Sequence, residues 1–134
     1  TVIISDYAHH PTALRAVVDA ATLRYVGKRI LVVFRPHHRE RTIKLFDHFV
    51  SVIAAIPHMI LVEVYDVAGR EDGISVSSRD LIKAVDARGE KTDLVYAADL
   101  ADAEAIIRRE SAHFDVILVV GAGDADQLAH HLLA

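Results

Sequence analysis

Two short stretches concentrate residues able to do chemistry. Asp6-Tyr7-Ala8-His9-His10-Pro11 sets an acid, a phenol and two imidazoles side by side. Arg35-Pro36-His37-His38-Arg39-Glu40-Arg41 sets three guanidinium groups around two imidazoles, with Lys44 just beyond. Arg forks match carboxylate and phosphate oxygens bidentately. In a chain of net charge -4, the second stretch therefore reads as an anion site. A solvated helix start is the competing reading, but cations at a helix N-terminus oppose the macrodipole, and an anionic ligand reconciles the two. Asp6 follows an apolar run directly. It can accept hydrogen bonds from a ribose diol or cap its own turn, and the residues alone leave both open. Four histidines raise the question of zinc, which neutral imidazole binds well. The lack of cysteine, the adjacency within each His pair and the nearby arginines argue against a metal, and none is expected.

These residues need elements to position them. Val2 to Ser5 is a short β-branched apolar run, as for a buried strand. Pro11 suits the first turn of a helix, and Leu14, Val17, Val18, Ala21 and Tyr25 recur at helical spacing until Gly27. Arg29 to Phe34 predicts a second strand, apolar throughout as in a parallel sheet covered on both faces. A helix is expected from about Arg39 to Ala55, with Ile43, Phe46, Phe49, Val50 and Ile53 inward, closed by Pro57. His58 to Val64 predicts a third strand, and Tyr65 to Val76, with Gly69 and Gly73, a loop. Ser77-Ser78-Arg79-Asp80 opens a helix with a capping-box pattern. Leu94 to Ala97, Asp99 to Glu110, Asp115 to Val120 and Ala125 to Leu133 continue the alternation of strand and helix. The expected fold class is α/β: a Rossmann-like, mostly parallel sheet of five to six strands with helices on both faces. If the first two strands are neighbours, both polar stretches lie on one edge of the sheet. Ligands of open parallel sheets bind beyond the carboxyl ends of the strands.

Composition bounds the rest. At 134 residues and 52% hydrophobic content, one domain over 1–134 with a substantial core is expected. The acidic balance does not suggest nucleic acid. No cysteine is present, which rules out disulfides and thiol chemistry and fits a reducing, cytoplasmic setting. No apolar run suits a membrane span. Thr1-Val2-Ile3-Ile4 opens inside a strand pattern without Met, as expected of a domain cut from a longer chain. Gly121-Ala122-Gly123 resembles the start of a dinucleotide fingerprint, but Asp126 stands in place of its third glycine. It reads as a sharp turn whose backbone can approach a ligand closely. A phospho-acceptor receiver needs a Lys after the fifth strand, and none follows Val120; no Gly-x-Ser-x-Gly elbow exists either.

Several spaced motifs together resemble the C-terminal domain of the Mur ligases. Asp6-Tyr7-Ala8-His9-His10-Pro11-Thr12 resembles the run that opens that domain. Phe34-Arg35-Pro36-His37-His38-Arg39-Glu40-Arg41-Thr42 resembles a Phe-Gln-Pro-His-Arg-x-x-Arg-Thr run of the alanine-adding members. Leu45-Phe46-Asp47-x-Phe49, Glu63-Val64-Tyr65, Ser78-Arg79-x-Leu81 and Gly121-Ala122-Gly123-Asp124 follow in order. The resemblance implies a three-domain, ATP-dependent ligase of peptidoglycan precursor synthesis. It would join L-alanine to UDP-N-acetylmuramate through an acyl phosphate, with Mg²⁺ and the ATP phosphates held mainly by a central domain. By position, Asp6 and Tyr7 resemble residues on the nucleotide side. His9, His37, His38, Arg39 and Arg41 resemble residues on the amino-acid and UDP-sugar product side, Arg41 gripping the amino-acid carboxylate. His38 stands where an Arg is common, Arg35 where Gln is common, and Arg39-Glu40 where Tyr-Thr or Tyr-Ser is common. No catalytic residue and no metal ligand is expected here, and without a Gly-x-x-Gly-Lys-Thr loop the lone domain is expected to be inactive. The alternatives are a sister ligase acting on murein tripeptide, or a stand-alone nucleotide-binding module.

Overall fold

The computed structural model describes residues 1–64, 76–89, 92–121 and 124–133. Five strands form one sheet: β1 (Val2–Asp6), β2 (Ile30–Phe34), β3 (His58–Val62), β4 (Asp93–Ala97) and β5 (Val116–Val120). Every described pairing is parallel, in the order β1-β5-β2-β3-β4. Among the described residues six helices accompany them: α1 (Pro11–Arg24), α2 (Arg39–Lys44), α3 (Phe46–Ala54), α4 (Ser78–Ala87), α5 (Leu100–Glu110) and α6 (Ala125–Leu133). A 3₁₀ turn at Ser111–His113 leads into β5.

Successive side chains of a strand point to opposite faces, which divides the core in two. Val32, Phe34, Met59, Leu61, Leu118 and Val120 pack with Leu14 of α1, Phe49 and Ile53 of α3, and Leu81 and Val85 of α4. Leu31, Val33, Ile60, Val62, Ile117 and Val119 pack with Ala103 and Ile107 of α5 and Leu128 and Ala129 of α6. The central strands are apolar on both faces because helices cover both. Among the described residues no helix is long and apolar enough to cross a membrane.

Local chemistry sets the helix starts. Pro11 occupies the first position of α1, and the His10 side chain accepts the Thr12 N–H as its cap. The expected capping box opens α4: the Ser77 hydroxyl accepts from the helix start while Asp80 accepts the Ser77 N–H at 2.8 Å. Asp99 caps α5 by accepting the Asp102 N–H at 2.7 Å.

Three expectations change. The first two strands are not neighbours, because β5 lies between them; they are still parallel, so their carboxyl ends do share one edge. The single helix expected from Arg39 to Ala55 breaks at Leu45 (φ −107°, ψ 17°), which ends α2 and begins α3. The bend turns Thr42, not Ile43, inward: Thr42 is 0% exposed and Ile43 37%. Thr42 tolerates burial because its hydroxyl donates to the His38 carbonyl at 2.9 Å. The five strands described fall within the expected five to six. The loop expected at Tyr65 to Val76 lies, for 65–75, outside the described residues, as do Ala122 and Gly123.

Candidate functional site

The chain leaves β1 and β2 toward helices on one face and leaves β5 toward α6 on the other. Connections that diverge in this way open a crevice at the carboxyl ends of the strands. Asp6, Val120 and Phe34 are in register across β1, β5 and β2, so the two polar turns emerge on either side of Gly121. Backbone bonds lock them there. The Gly121 N–H donates to the Asp6 carbonyl at 3.0 Å and the Arg35 N–H donates to the Val120 carbonyl at 3.2 Å. Gly121 has φ +149°, and a Cβ there would stand 3.1 Å from the Arg35 carbonyl oxygen. The backbone packed closely against Gly121 is that of the protein's own second turn.

In the first turn, Asp6 Oδ1 accepts the Ala8 N–H at 3.0 Å. The capping role of Asp6 is therefore met, and a carboxylate retains further lone pairs for a ligand. Tyr7 is 67% exposed. His9 is half-buried, with Nδ1 3.2 Å from the Tyr7 carbonyl. His10, by contrast, is spent on capping α1.

The second turn is more deeply set. Arg35 is buried, and Pro36 beside it is buried as well. The His37 and His38 rings lie 3.9 Å apart, and the His9 and His37 rings 6.4 Å, so an imidazole row joins the two turns. His38 has φ 68° and ψ 121°, outside the regions open to a non-glycine residue. Its carbonyl accepts both the Thr42 N–H (3.1 Å) and the buried Thr42 hydroxyl (2.9 Å), which fixes the backbone in this strained form. Strain of this kind collects at ligand sites. Arg39 Nη1 donates to the Val76 carbonyl, so part of this guanidinium is committed to the protein. α2 has only six residues and carries Glu40 in its first turn, so the macrodipole argument for an anion there is weaker than the sequence suggests.

Electrostatics carries the anion argument instead. Burial holds the His37 imidazole below its ordinary pKa, and His38, His9, Arg41 and Arg35 add repulsion to its charged form. The Arg35 and Arg41 guanidinium groups near the His37 ring make a place where an anion would be welcome. Among the described residues no three His, Cys, Asp or Glu side chains are grouped to hold a metal ion.

The structure thus brings Asp6, Tyr7, His9, His37, His38, Arg39 and Arg41 to one edge. It also shows a residue whose role sequence reasoning missed. Glu63 follows β3 on the same edge and accepts four hydrogen bonds: from Ser77 Oγ (2.6 Å), Tyr96 Oη (3.1 Å), the Val64 N–H (2.7 Å) and the Ser78 N–H (2.8 Å). Burial raises its pKa, but these donors outweigh burial and hold it below the usual range. An acid directly after an apolar run was a readable signal, since Asp6 has the same placement. Asp126, which stands in place of the fingerprint's third glycine, accepts from Ser5 Oγ at 2.9 Å and pairs with His130 at 3.2 Å.

Comparison with known proteins bears on the family and the fold. Residues 1–123 match the family model described as Mur ligase, glutamate ligase domain. A UDP-N-acetylmuramate–L-alanine ligase of Stenotrophomonas maltophilia is 38% identical over 132 residues, covering 97% of this chain and 27% of the relative. The enzyme of the same name from Nitrosomonas eutropha is 33% identical over 127 residues, covering 95% and 26%. The chain therefore spans about a quarter of the length of these relatives. A murein peptide ligase from Psychrobacter arcticus shares the fold, with TM-score 0.74 at 23% identity over 98% of this chain and 27% of that one. A single domain ascribed to a UDP-N-acetylmuramate peptide ligase of Haemophilus ducreyi shares it as well, with TM-score 0.67 at 20% identity over 98% and 87%.

Proposed function

This chain belongs to the Mur ligase family, as its glutamate ligase domain, and from that premise we propose that it is the C-terminal domain of a three-domain, ATP-dependent ligase that joins L-alanine to UDP-N-acetylmuramate. The observation that carries the proposal is the convergence of the two polar turns around Gly121, with His37 set among Arg35, Arg41, His9 and His38. The guanidinium groups of Arg35 and Arg41 suit the carboxylate of an incoming amino acid, and Arg41 is its clamp. Asp6 and Tyr7, at the end of β1, serve the nucleoside side. The relatives that are 33–38% identical carry the name of the alanine-adding enzyme, which favours L-alanine over a murein tripeptide.

The residues of this chain do not suit the ATP phosphates or Mg²⁺. There is no Gly-x-x-Gly-Lys-Thr loop in the sequence, and no carboxylate group is assembled for a metal among the described residues. Those groups belong to a central domain, where ATP would supply the phosphoryl group that activates the sugar carboxylate. This domain's contribution is to bind and orient. It presents the amine next to the activated carbonyl, a gain of the proximity kind, and its closure over the central domain keeps water from the acyl phosphate.

The test is a chemical-shift titration of the chain with ADP, L-alanine and the product UDP-N-acetylmuramoyl-L-alanine. Saturable shifts at Asp6 to His10 and His37 to Arg41 are expected. Shifts confined to Gly121 and α6 on adding NADH would instead favour a stand-alone dinucleotide-binding module.

A further inference from the structure

The geometry points to Glu63 as a positioning residue for the second turn, acting through the segment Val76–Ser78 and Arg39. The inference rests on reading that turn as an anion site. Glu63 stands where β3 ends, and its own N–H donates to the Ala97 carbonyl at 2.9 Å, which ties it to the end of β4. One carboxylate oxygen holds Ser77 Oγ and the Tyr96 hydroxyl of β4; the other holds the N–H groups of Val64 and Ser78. Ser77 lies fourteen residues along the chain from Glu63, so this bond is tertiary and pins the start of α4 to the sheet edge. The Ser78 hydroxyl adds a second pin by donating to the Val62 carbonyl at 2.7 Å, where Ser78 is 0% exposed. The Arg79 guanidinium lies over the Tyr96 ring, 4.5 Å from its centroid, and closes the cluster from outside.

The pinned segment begins with Val76, which is 5% exposed. Its carbonyl accepts from Arg39 Nη1, in the first turn of α2. Position therefore passes from the sheet edge through Glu63 to Ser77 and Ser78, to the Val76 carbonyl, and from there to Arg39. Arg39 is adjacent to the strained His38 and two residues from Arg41. Glu63 touches no ligand in this account. It sets where the cations of α2 stand, as a supporting shell does for a binding site.

The experiment replaces Glu63 while reading Arg39 directly. Glu63→Gln keeps the shape but turns an NH₂ group toward donors, so it cannot satisfy all four partners. Ser77→Ala removes one donor to the carboxylate together with the hydroxyl that caps α4, and Glu104→Gln on α5 is the remote control. In ¹⁵N-labelled chain, the Arg39 Nε–H resonance is expected to shift in Glu63→Gln, and less in Ser77→Ala, while the amide resonances of β1, β2 and β5 hold. The Kd for inorganic phosphate, followed at Arg41 Nε–H, should weaken about tenfold in Glu63→Gln. Glu104→Gln should change neither. An Arg39 resonance unmoved in Glu63→Gln, with shifts limited to β3, β4 and α4, would make Glu63 a local cap and overturn the inference. If Glu63→Gln fails to fold, Ser77→Ala decides on the same readout. If the unmodified chain shows no phosphate response, the anion reading falls, and the Arg39 resonance alone decides whether Glu63 positions it.

Discussion

Substitution of Gly121 by alanine tests whether the two turns are truly locked across β5. The added Cβ would lie 3.1 Å from the Arg35 carbonyl oxygen and 3.4 Å from the Ala125 Cβ, and φ is +149°. The first contact is with backbone that is itself bonded into the sheet, through the Arg35 N–H to Val120, so it cannot rotate away as a side chain can. Backbone strain of a non-glycine residue costs about 1–3 kcal/mol, and overpacking a closed site costs a further ~1–3 kcal/mol. A total near 3 kcal/mol follows, as an order of magnitude. For 134 residues, an unfolding entropy of about 2.1 cal/mol/K per residue converts this to a fall in Tm of roughly 10 °C. Gly27→Ala is the internal control: φ is +77° but nothing lies within 4 Å, so only the strain applies, about 1 kcal/mol or roughly 4 °C. Thermal unfolding followed by circular dichroism measures both. If Gly121→Ala melts no lower than Gly27→Ala, the contact with Arg35 is not the constraint described, and the site lacks the rigid centre assigned to it.

The other expectations concern individual side chains. Arg41→Ala in the full-length enzyme should raise the KM for L-alanine most, by about 1.5–3 kcal/mol in binding terms, or tenfold and more; steady-state kinetics with each substrate varied checks this, and an unchanged alanine KM removes Arg41 as the clamp. Asp6→Ala loses the acceptor of the Ala8 N–H, so stability should fall by about 1 kcal/mol and the KM for ATP should rise; normal ATP kinetics in a folded variant would leave Asp6 a turn residue only. His37, with its folded pKa below the ordinary 6.5, binds fewer protons folded than unfolded. Stability should therefore fall as pH drops through 6.5 toward the lowered value, and Tm measured against pH should show this slope in the native chain and less of it in His37→Gln.

Much of the fold was readable because its signals are local. Apolar runs such as Ile30–Phe34, the Pro11 helix start and the Ser77 capping box each follow from a few neighbouring residues. Strand order was not readable in the same way. That β5 inserts between β1 and β2 depends on which helices pack on which face, and no short stretch of sequence records it. The break at Leu45 escaped notice for a related reason. Ile43 fits a helical stripe, but the buried partner of the His38 carbonyl is Thr42, and a polar residue does not announce burial. The site residues were visible by type, whereas their division of labour was not. His10 turned out to cap a helix, Arg39 to hold Val76, and Glu63 to gather four donors, from Val64, Ser77, Ser78 and Tyr96.

The most direct test of the functional proposal is phosphate release by the full-length protein supplied with ATP, Mg²⁺ and UDP-N-acetylmuramate, with and without L-alanine. Release that depends on L-alanine, and falls in Arg41→Ala at limiting alanine, is the predicted result. Release that ignores L-alanine, or that appears only with a murein tripeptide in its place, would contradict the assignment.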